Sequence, residues 1–142
     1  MAGTYLPGRS GAEAEAVVLQ RLLSQRYDVA IPFGNTPYDL IVDTGHVLSR
    51  LQVRRAYFAD RKGCFVVDLR LPRRDALRNY DYLVAVAGVT CYVRSVELIQ
   101  ALQTLTLRPE ACSVRRPSGR RGMVSDLETY RERWDILTKE RV

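Results

Sequence analysis

Three polar residues in the segment 36–56, TPYDLIVDTGHVLSRLQVRRA, have side chains that could form one chemical site. Asp39 offers a carboxylate, Gln52 an amide oxygen and Arg54 a permanently charged guanidinium. The segment has two runs rich in Val, Ile and Leu on either side of Thr44 and Gly45, a pattern typical of a β-hairpin. Side chains alternate between the faces of a strand, so residues 39, 52 and 54 can share one face.

The hairpin register decides which residues face each other. If Thr44 and Gly45 form a two-residue turn, Asp39 lies opposite Arg50 and diagonal to Gln52, about 7–8 Å away or less. The same register separates a polar face from an apolar face that packs in the core. The polar face contains Asp39, Asp43, His46, Arg50, Gln52 and Arg54, and the apolar face contains Tyr38, Leu40, Val42, Val47, Ser49, Leu51 and Val53.

A helix is predicted ahead of this hairpin. Ser10 is a candidate N-cap, and the helix should extend to about Arg26. Glu15 lies on its apolar stripe, at helical spacing with Val18 and Leu22. A buried carboxylate needs a partner. Periodicity alone favours the alternative interpretation, in which Glu15 is half-solvated in the first turn and stabilised by the helix dipole.

The remaining pattern predicts an α/β or α+β domain with a mixed sheet flanked by helices. A short strand is expected over residues 27–32, a third long strand over 64–69, and a central strand over 80–87 followed by a strand over 91–94. Ser95 should begin a short helix that ends near residue 103. We expect a single domain over residues 1–142, with a loose leader at 1–9, a basic loop at 108–123 and a C-terminal helix at 125–140 that a capping-box pattern begins.

Composition narrows the functional class. The 142 residues have a formal net charge of +6, which suits a polyanionic partner and nucleic acid first. No apolar run is long enough to span a membrane. The three cysteines are widely spaced and include no CxxC pair, so we expect neither a zinc site nor a disulfide framework. We therefore expect a location in the reducing cytoplasm.

Taken together, three motifs resemble the PD-(D/E)XK nuclease superfamily, in particular its Q-x-K variant. They are Glu15 in GAEAE with Leu22 and Tyr27 behind it, Asp39 in YDL, and Gln52 in QVR. The PFGN segment before YDL and the YRERWDIL ending are similar to the same group, which includes an intron-encoded homing endonuclease and phage and prokaryotic nucleases. The resemblance implies a mixed sheet flanked by helices and hydrolysis of DNA.

The resemblance also implies a metal site and a partner. Glu15, Asp39 and Gln52 would hold Mg²⁺, with Mn²⁺ as a substitute, because hard cations take oxygen ligands. Double-stranded DNA is the expected substrate, and a symmetric homo-oligomer, a dimer or a tetramer, is expected because two copies of the site are needed to cut two strands. Candidate DNA contacts are Arg50, Arg54, Arg115, Arg116, Arg120 and Arg121.

The sequence departs from the family at Arg54, where lysine is expected. Arginine stays protonated and cannot act as a base, but it can bind a phosphate or orient water. Two hypotheses therefore stay open: an active endonuclease in which Arg54 acts electrostatically, and a weak or inactive DNA-binding protein on the same fold. A third hypothesis treats Asp39 as a partner of Arg50, treats Gln52 and Arg54 as a solvated strand face, and makes the protein a structural or interaction protein.

Overall fold

The computed structural model describes residues 9–59, 64–69, 78–100, 102, 104–107 and 130–139. Helix α1 comprises Arg9–Ser24 and buries Ala14, Val18 and Leu22, which recur at helical spacing. Ser10 lies inside this helix, so the predicted N-cap at Ser10 is wrong. Among the described helices, none combines the length and the apolar composition that a membrane crossing requires.

The main sheet is mixed, as predicted. Its five strands are β1 Asp28–Ala30, β2 Leu40–Asp43, β3 Leu48–Arg55, β6 Tyr82–Ala87 and β7 Thr90–Ser95. They lie in the order β1-β2-β3-β6-β7, and only the β3–β6 pair is parallel. The helix α1 packs across β1, β3 and β6.

The β2–β3 hairpin has a different register from the one expected. Leu40 pairs with Leu51, so the predicted two-residue turn is wrong and four residues, 44–47, connect the strands. Local hydrogen bonds explain the longer loop: the Asp43 carboxylate accepts from the Gly45 amide at 2.8 Å, and Gly45 adopts a φ of 90°. The shift is two residues, so every strand residue keeps its predicted face.

A second sheet was not predicted in full. It has the order β4-β5-β8, with β4 Tyr57–Ala59, β5 Cys64–Asp68 and β8 Thr104–Leu107. Strands β4 and β8 are short, and their sequences have too few residues to show a period of two. After the strand that ends at Ser95, the expected helix is only a 3-10 turn, Val96–Leu98.

The two faces of the main sheet bury separate clusters. On one face, α1 covers Leu40, Val42, Leu51 and Val53, as the predicted apolar face of the hairpin requires. On the other face, strands β5 and β8 of the second sheet contribute to a cluster with Leu83, Ala85 and Tyr92. Strand β6 is buried along its whole length because it is covered on both faces.

The C-terminal segment differs from the predicted helix at 125–140 over the residues that are described. Arg131 makes an isolated antiparallel bridge with Tyr92, and Glu132 has a left-handed φ of 51°. Only a 3-10 helix, Trp134–Thr138, follows. The Glu132 carboxylate accepts hydrogen bonds from the Cys91 amide and the Trp134 indole, which stabilises a non-helical path. Of the leader predicted at 1–9, only Arg9 is described, and it lies in α1. The rest of that leader, the predicted helix start near residue 125 and the basic loop at 108–123 lie outside the described residues.

Candidate active site

Asp39 is fixed by strand β3 although it precedes strand β2. Its backbone N–H donates to the Leu51 carbonyl at 2.8 Å, and its Oδ2 accepts from the Val53 N–H, also at 2.8 Å. The side chain thus receives a hydrogen bond from the backbone between Gln52 and Arg54. A carboxylate that accepts a backbone N–H is positioned more precisely than one in solvent.

Glu15 is brought directly to Asp39. The helix places Glu15 one residue after the buried Ala14, at the border between the core and solvent. Partial burial raises the pKa of Glu15, the negative charge of Asp39 raises it further, and a hydrogen bond with Asp39 adds to the effect. Two carboxylates without a cation between them repel, so this pair has the electrostatics of a cation site.

Gln52 and Arg54 lie on either side of Val53 along β3. Val53 is buried against α1, so alternation directs Gln52 and Arg54 to the opposite face of the sheet. The parallel register pairs Gln52 with Leu83 and Arg54 with Ala85. Gln52 is half-buried and Arg54 is exposed.

Neither of these two side chains forms a hydrogen bond or ion pair with the described residues. The structure therefore brings Glu15 of α1 into contact with Asp39, but it does not bring Gln52 and Arg54 to that pair. Gln52 and Arg54 lie on the face of β3 that points away from α1, so the predicted shared face of residues 39, 52 and 54 is not observed.

Arg50 has a partner that differs from the predicted one. The two-residue turn placed Arg50 opposite Asp39, but the observed register pairs it with Ile41. The Arg50 guanidinium instead binds the Asp81 carboxylate at 3.3 Å and lies 5.9 Å from the Tyr38 ring centroid. The hypothesis that Asp39 merely pairs with Arg50 is thus wrong for this structure.

Asp81 and Tyr38 were missed by the sequence analysis. Asp81 accepts from the Arg50 backbone N–H at 2.7 Å, and the Asp81 N–H donates to the Arg50 carbonyl. Tyr38 was predicted on the face of Leu40, yet it packs against the second cluster. The alternation fails because β2 begins only at Leu40, so no strand fixes Tyr38. The only available signal was the position of Asp81 at the start of an apolar strand.

The donor set suits a hard divalent cation. Among the described residues, no three Asp, Glu, His or Cys side chains gather closely enough to make a metal site on their own. Mg²⁺, however, keeps several waters and uses one or two carboxylates in many proteins, so the Glu15–Asp39 pair suffices as its protein ligands. The like-charged contact between Glu15 and Asp39 is the feature that a cation would neutralise.

The cysteines offer no competing nucleophile in the described part of the chain. Cys64 and Cys91 are buried and free. Burial and the neighbouring Glu132 raise the pKa of Cys91 to about 12, so its thiol stays protonated at neutral pH. The predicted DNA contacts Arg115, Arg116, Arg120 and Arg121 lie outside the described residues, as does Cys112.

Comparison with known proteins identifies a matching family and a similar solved structure. A family model described as PD-(D/E)XK endonuclease matches residues 7–104, which include all four candidate site residues. The solved structure of the bacterial homing endonuclease I-Ssp6803I shares 26% sequence identity and superposes with a TM-score of 0.73, over 97% of this chain and 93% of that chain. Among curated proteins, the sequence has no significant match.

Proposed function

Because the chain belongs to the PD-(D/E)XK endonuclease family, we propose that it is a metal-dependent endonuclease that hydrolyses phosphodiester bonds of double-stranded DNA. Mg²⁺ is the proposed cofactor, with Mn²⁺ as a substitute. The observation on which the proposal depends is the contact between Glu15 and Asp39, beside the backbone that presents Gln52 and Arg54. The similarity to a protein named as a homing endonuclease favours a homing-like activity.

The carboxylates and the amide have separate roles in this proposal. Asp39, held by the Val53 N–H, supplies the fixed negative charge at the centre of the site. Glu15 adds a second carboxylate from α1, and Gln52 adds a neutral oxygen donor. When bound, a divalent cation would polarise the scissile phosphate and lower the pKa of an attacking water. The protein contributes the placement of the oxygen donors and of the cation Arg54.

Arg54 takes the position at which the family has lysine. Its guanidinium is exposed and makes no hydrogen bond with the described residues, so it is available to a phosphate. Since arginine keeps its proton, its role is to offset negative charge as the phosphate reacts. Arg50 is already bound to Asp81, so we assign it mainly to positioning the hairpin.

The second candidate function is DNA binding without efficient cleavage. The observation that favours it is Arg54 itself, because a wide planar cation replaces a compact one. Under both functions, phosphate contacts by Arg115, Arg116, Arg120 and Arg121 are proposed from their basic sequence context, with a homo-oligomer as the acting form. The free cysteines Cys64 and Cys91 fit a reducing cytoplasm.

Plasmid cleavage tests the proposed function. Purified protein is incubated with supercoiled plasmid and Mg²⁺ or Mn²⁺, and EDTA should abolish nicking and linearisation. Asp39→Asn should reduce cleavage by about 10³-fold or more, since polarisation by a bound metal is worth several kcal/mol. Asp28→Asn is the matched control, because Asp28 is an exposed strand carboxylate far along the β1–β2 pair.

A readout besides activity tests the metal site. Mg²⁺ should raise the melting temperature of the wild type, because a ligand that binds only the folded state stabilises it, and Asp39→Asn should remove this increase. Salt-dependent DNA binding without any cleavage would assign the chain to the second function. Equal cleavage by the wild type and Asp39→Asn would contradict the proposed site.

A further inference from the structure

The loop between β1 and β2 exposes two large apolar side chains. Phe33 is fully exposed and Ile31 is 70% exposed. A side chain with full exposure buries no surface in the fold, so Phe33 contributes nothing to the packed core. Exposed apolar side chains that project together often contact a partner.

The strand register puts this loop at the same end of the sheet as the active site. Ala30, the last residue of β1, pairs with Ile41, which is two residues after Asp39. Ile31 therefore leaves the sheet beside the start of β2, where Asp39 binds Val53 of β3. Residues 31–38 then connect this sheet end to Asp39 itself.

The loop has features that restrict its conformation. Gly34 adopts a φ of 91°, which permits a sharp turn directly after Phe33. Two prolines, Pro32 and Pro37, fix their own φ angles. Near the end of the loop, the Thr36 hydroxyl donates to the Tyr38 carbonyl at 2.7 Å. The aromatic ring is thus displayed by a restrained segment and not by a free tail.

We propose that Phe33, supported by Ile31, is a wedge that inserts between adjacent base pairs of the DNA that occupies the active site. This inference rests on the proposed function, since it takes duplex DNA as the partner. Proteins that kink DNA insert apolar side chains at a base step and bind the flanking phosphates with cations. The exposed Arg54 on the adjoining strand and the net charge of +6 supply the cationic surroundings.

A second copy of the chain is the competing occupant of this surface. The placement favours DNA, because the apolar tip lies at the end of the sheet where the proposed site would bind the scissile phosphate, and residues 34–39 connect the tip to that site. Leu48 provides a contrast. It is 68% exposed, but it lies at the opposite end of the hairpin, paired with Asp43.

DNA unwinding tests the wedge without knowledge of the target sequence. All proteins contain Asp39→Asn to prevent cleavage, and relaxed plasmid is treated with topoisomerase I in their presence. Insertion of a wedge unstacks a base step and changes the linking number of the closed plasmid. Phe33→Ala should lose this change, and it should weaken binding to random-sequence duplexes by about 10-fold, within the range for one base–aromatic stack. Leu48→Ala should retain both properties.

Fluorescence gives an independent readout. Phe33→Trp places an indole at the tip, whereas the native Trp134 is buried. Added duplex should quench the new indole and shield it from acrylamide, and Leu48→Trp should show neither effect. Since Phe33 is exposed, each variant should melt at the temperature of its parent.

The outcomes separate the wedge from the proposed function. If the wild type cleaves plasmid but Phe33→Ala unwinds and binds like its parent, the wedge is overturned and the nuclease stands. If Phe33→Ala changes the sedimentation coefficient of the free protein and leaves unwinding intact, the surface contacts a second copy and the wedge is again overturned. If neither the wild type nor the Asp39→Asn parent binds DNA, both proposals fail.

Discussion

Two glutamates on helix α1, two residues apart, meet opposite electrical surroundings. Glu13 is exposed and lies 3.1 Å from the Arg55 guanidinium, a surface ion pair that joins α1 to β3. Glu15 meets Asp39, a second carboxylate, and its pKa is raised by burial and by that charge. The same helix thus forms one neutralised contact, with β3, and one contact of like charges, with the residue that precedes β2.

Arg54 and Arg55 of β3 differ in the same way, since one is exposed and the other is paired with a carboxylate. Arg55 is bound by Glu13, whereas Arg54, its neighbour in sequence, lies on the other face and is exposed. The Glu13–Arg55 contact needs only the folded protein for its explanation. The Glu15–Asp39 contact lowers stability when both groups are ionised, so a ligand that supplies positive charge explains its presence better than packing does.

Arg54 should give the largest effect in this comparison. Arg54→Ala should reduce metal-dependent cleavage by about 10²–10³-fold, the typical cost of one preorganised transition-state donor. Arg54→Lys should keep or raise cleavage, because it retains the positive charge and restores the residue that the family has. DNA binding should fall much less, since other cations share the phosphate contacts. Initial rates on one plasmid with one metal measure all three proteins.

Arg55→Ala is the matched control for Arg54, since it removes the same side chain one residue later on the opposite face. It should leave cleavage close to the wild-type rate. If the wild type is inactive and Arg54→Lys gains cleavage, the inactive DNA-binding function describes the wild type and arginine is the cause. Equal rates for wild type, Arg54→Lys and Arg54→Ala would show that the third motif is misplaced.

The sequence predicted the faces of the hairpin better than its contacts. Strand alternation has a period of two, and the register error was also two, so the buried positions Leu40, Leu51 and Val53 were assigned to the correct face. Pairing was wrong because the Asp43 carboxylate and the Thr44 hydroxyl bind amides of the loop and lengthen it. The partner of Arg50 was missed for the same reason.

Other features depend on contacts that are distant in sequence. Asp81 binds Arg50 across 31 positions, and no local pattern indicates that pair. Strand β8 forms because Leu105 and Leu107 pack against β5, although only four residues make the strand. The helix expected at 125–140 does not form over 130–139, because the Glu132 carboxylate accepts a hydrogen bond from the Cys91 amide of β7. Such tertiary contacts override helical periodicity.

Glu15→Gln should reduce cleavage less than Arg54→Ala does, and it should increase the stability of the metal-free protein. Loss of the second carboxylate should reduce cleavage by about 10- to 100-fold, the range seen when support for a metal site is removed. In metal-free buffer at neutral pH the variant should be more stable, by about 0.5 kcal/mol, the size of a solvent-screened charge pair. Urea unfolding and plasmid cleavage measure the two quantities.

The stability difference between Glu15→Gln and the wild type should depend on pH. The folded pKa of Glu15 is raised above its unfolded value, so its stabilising contribution is complete below the unfolded pKa and is lost as pH rises through the folded pKa. The advantage of Glu15→Gln should therefore grow from the acidic range towards neutral pH and shrink when Mg²⁺ is added to both proteins. An advantage that does not change with pH would show that Glu15 and Asp39 do not interact in solution.

Glu13→Gln should give the smallest effect and completes the comparison. The Glu13–Arg55 pair is exposed on both sides, so a double-mutant cycle with Arg55→Gln should measure a coupling of only about 0.2–1 kcal/mol. This coupling should decrease with added salt, because solvent ions screen exposed charges. Cleavage by Glu13→Gln should stay at the wild-type rate, because the Glu13 and Arg55 charges neutralise each other and neither residue is proposed to bind the metal or a phosphate. A loss of cleavage as large as that of Glu15→Gln would mean that the first turns of α1 act as a whole, and that the contrast between the two glutamates does not mark the site.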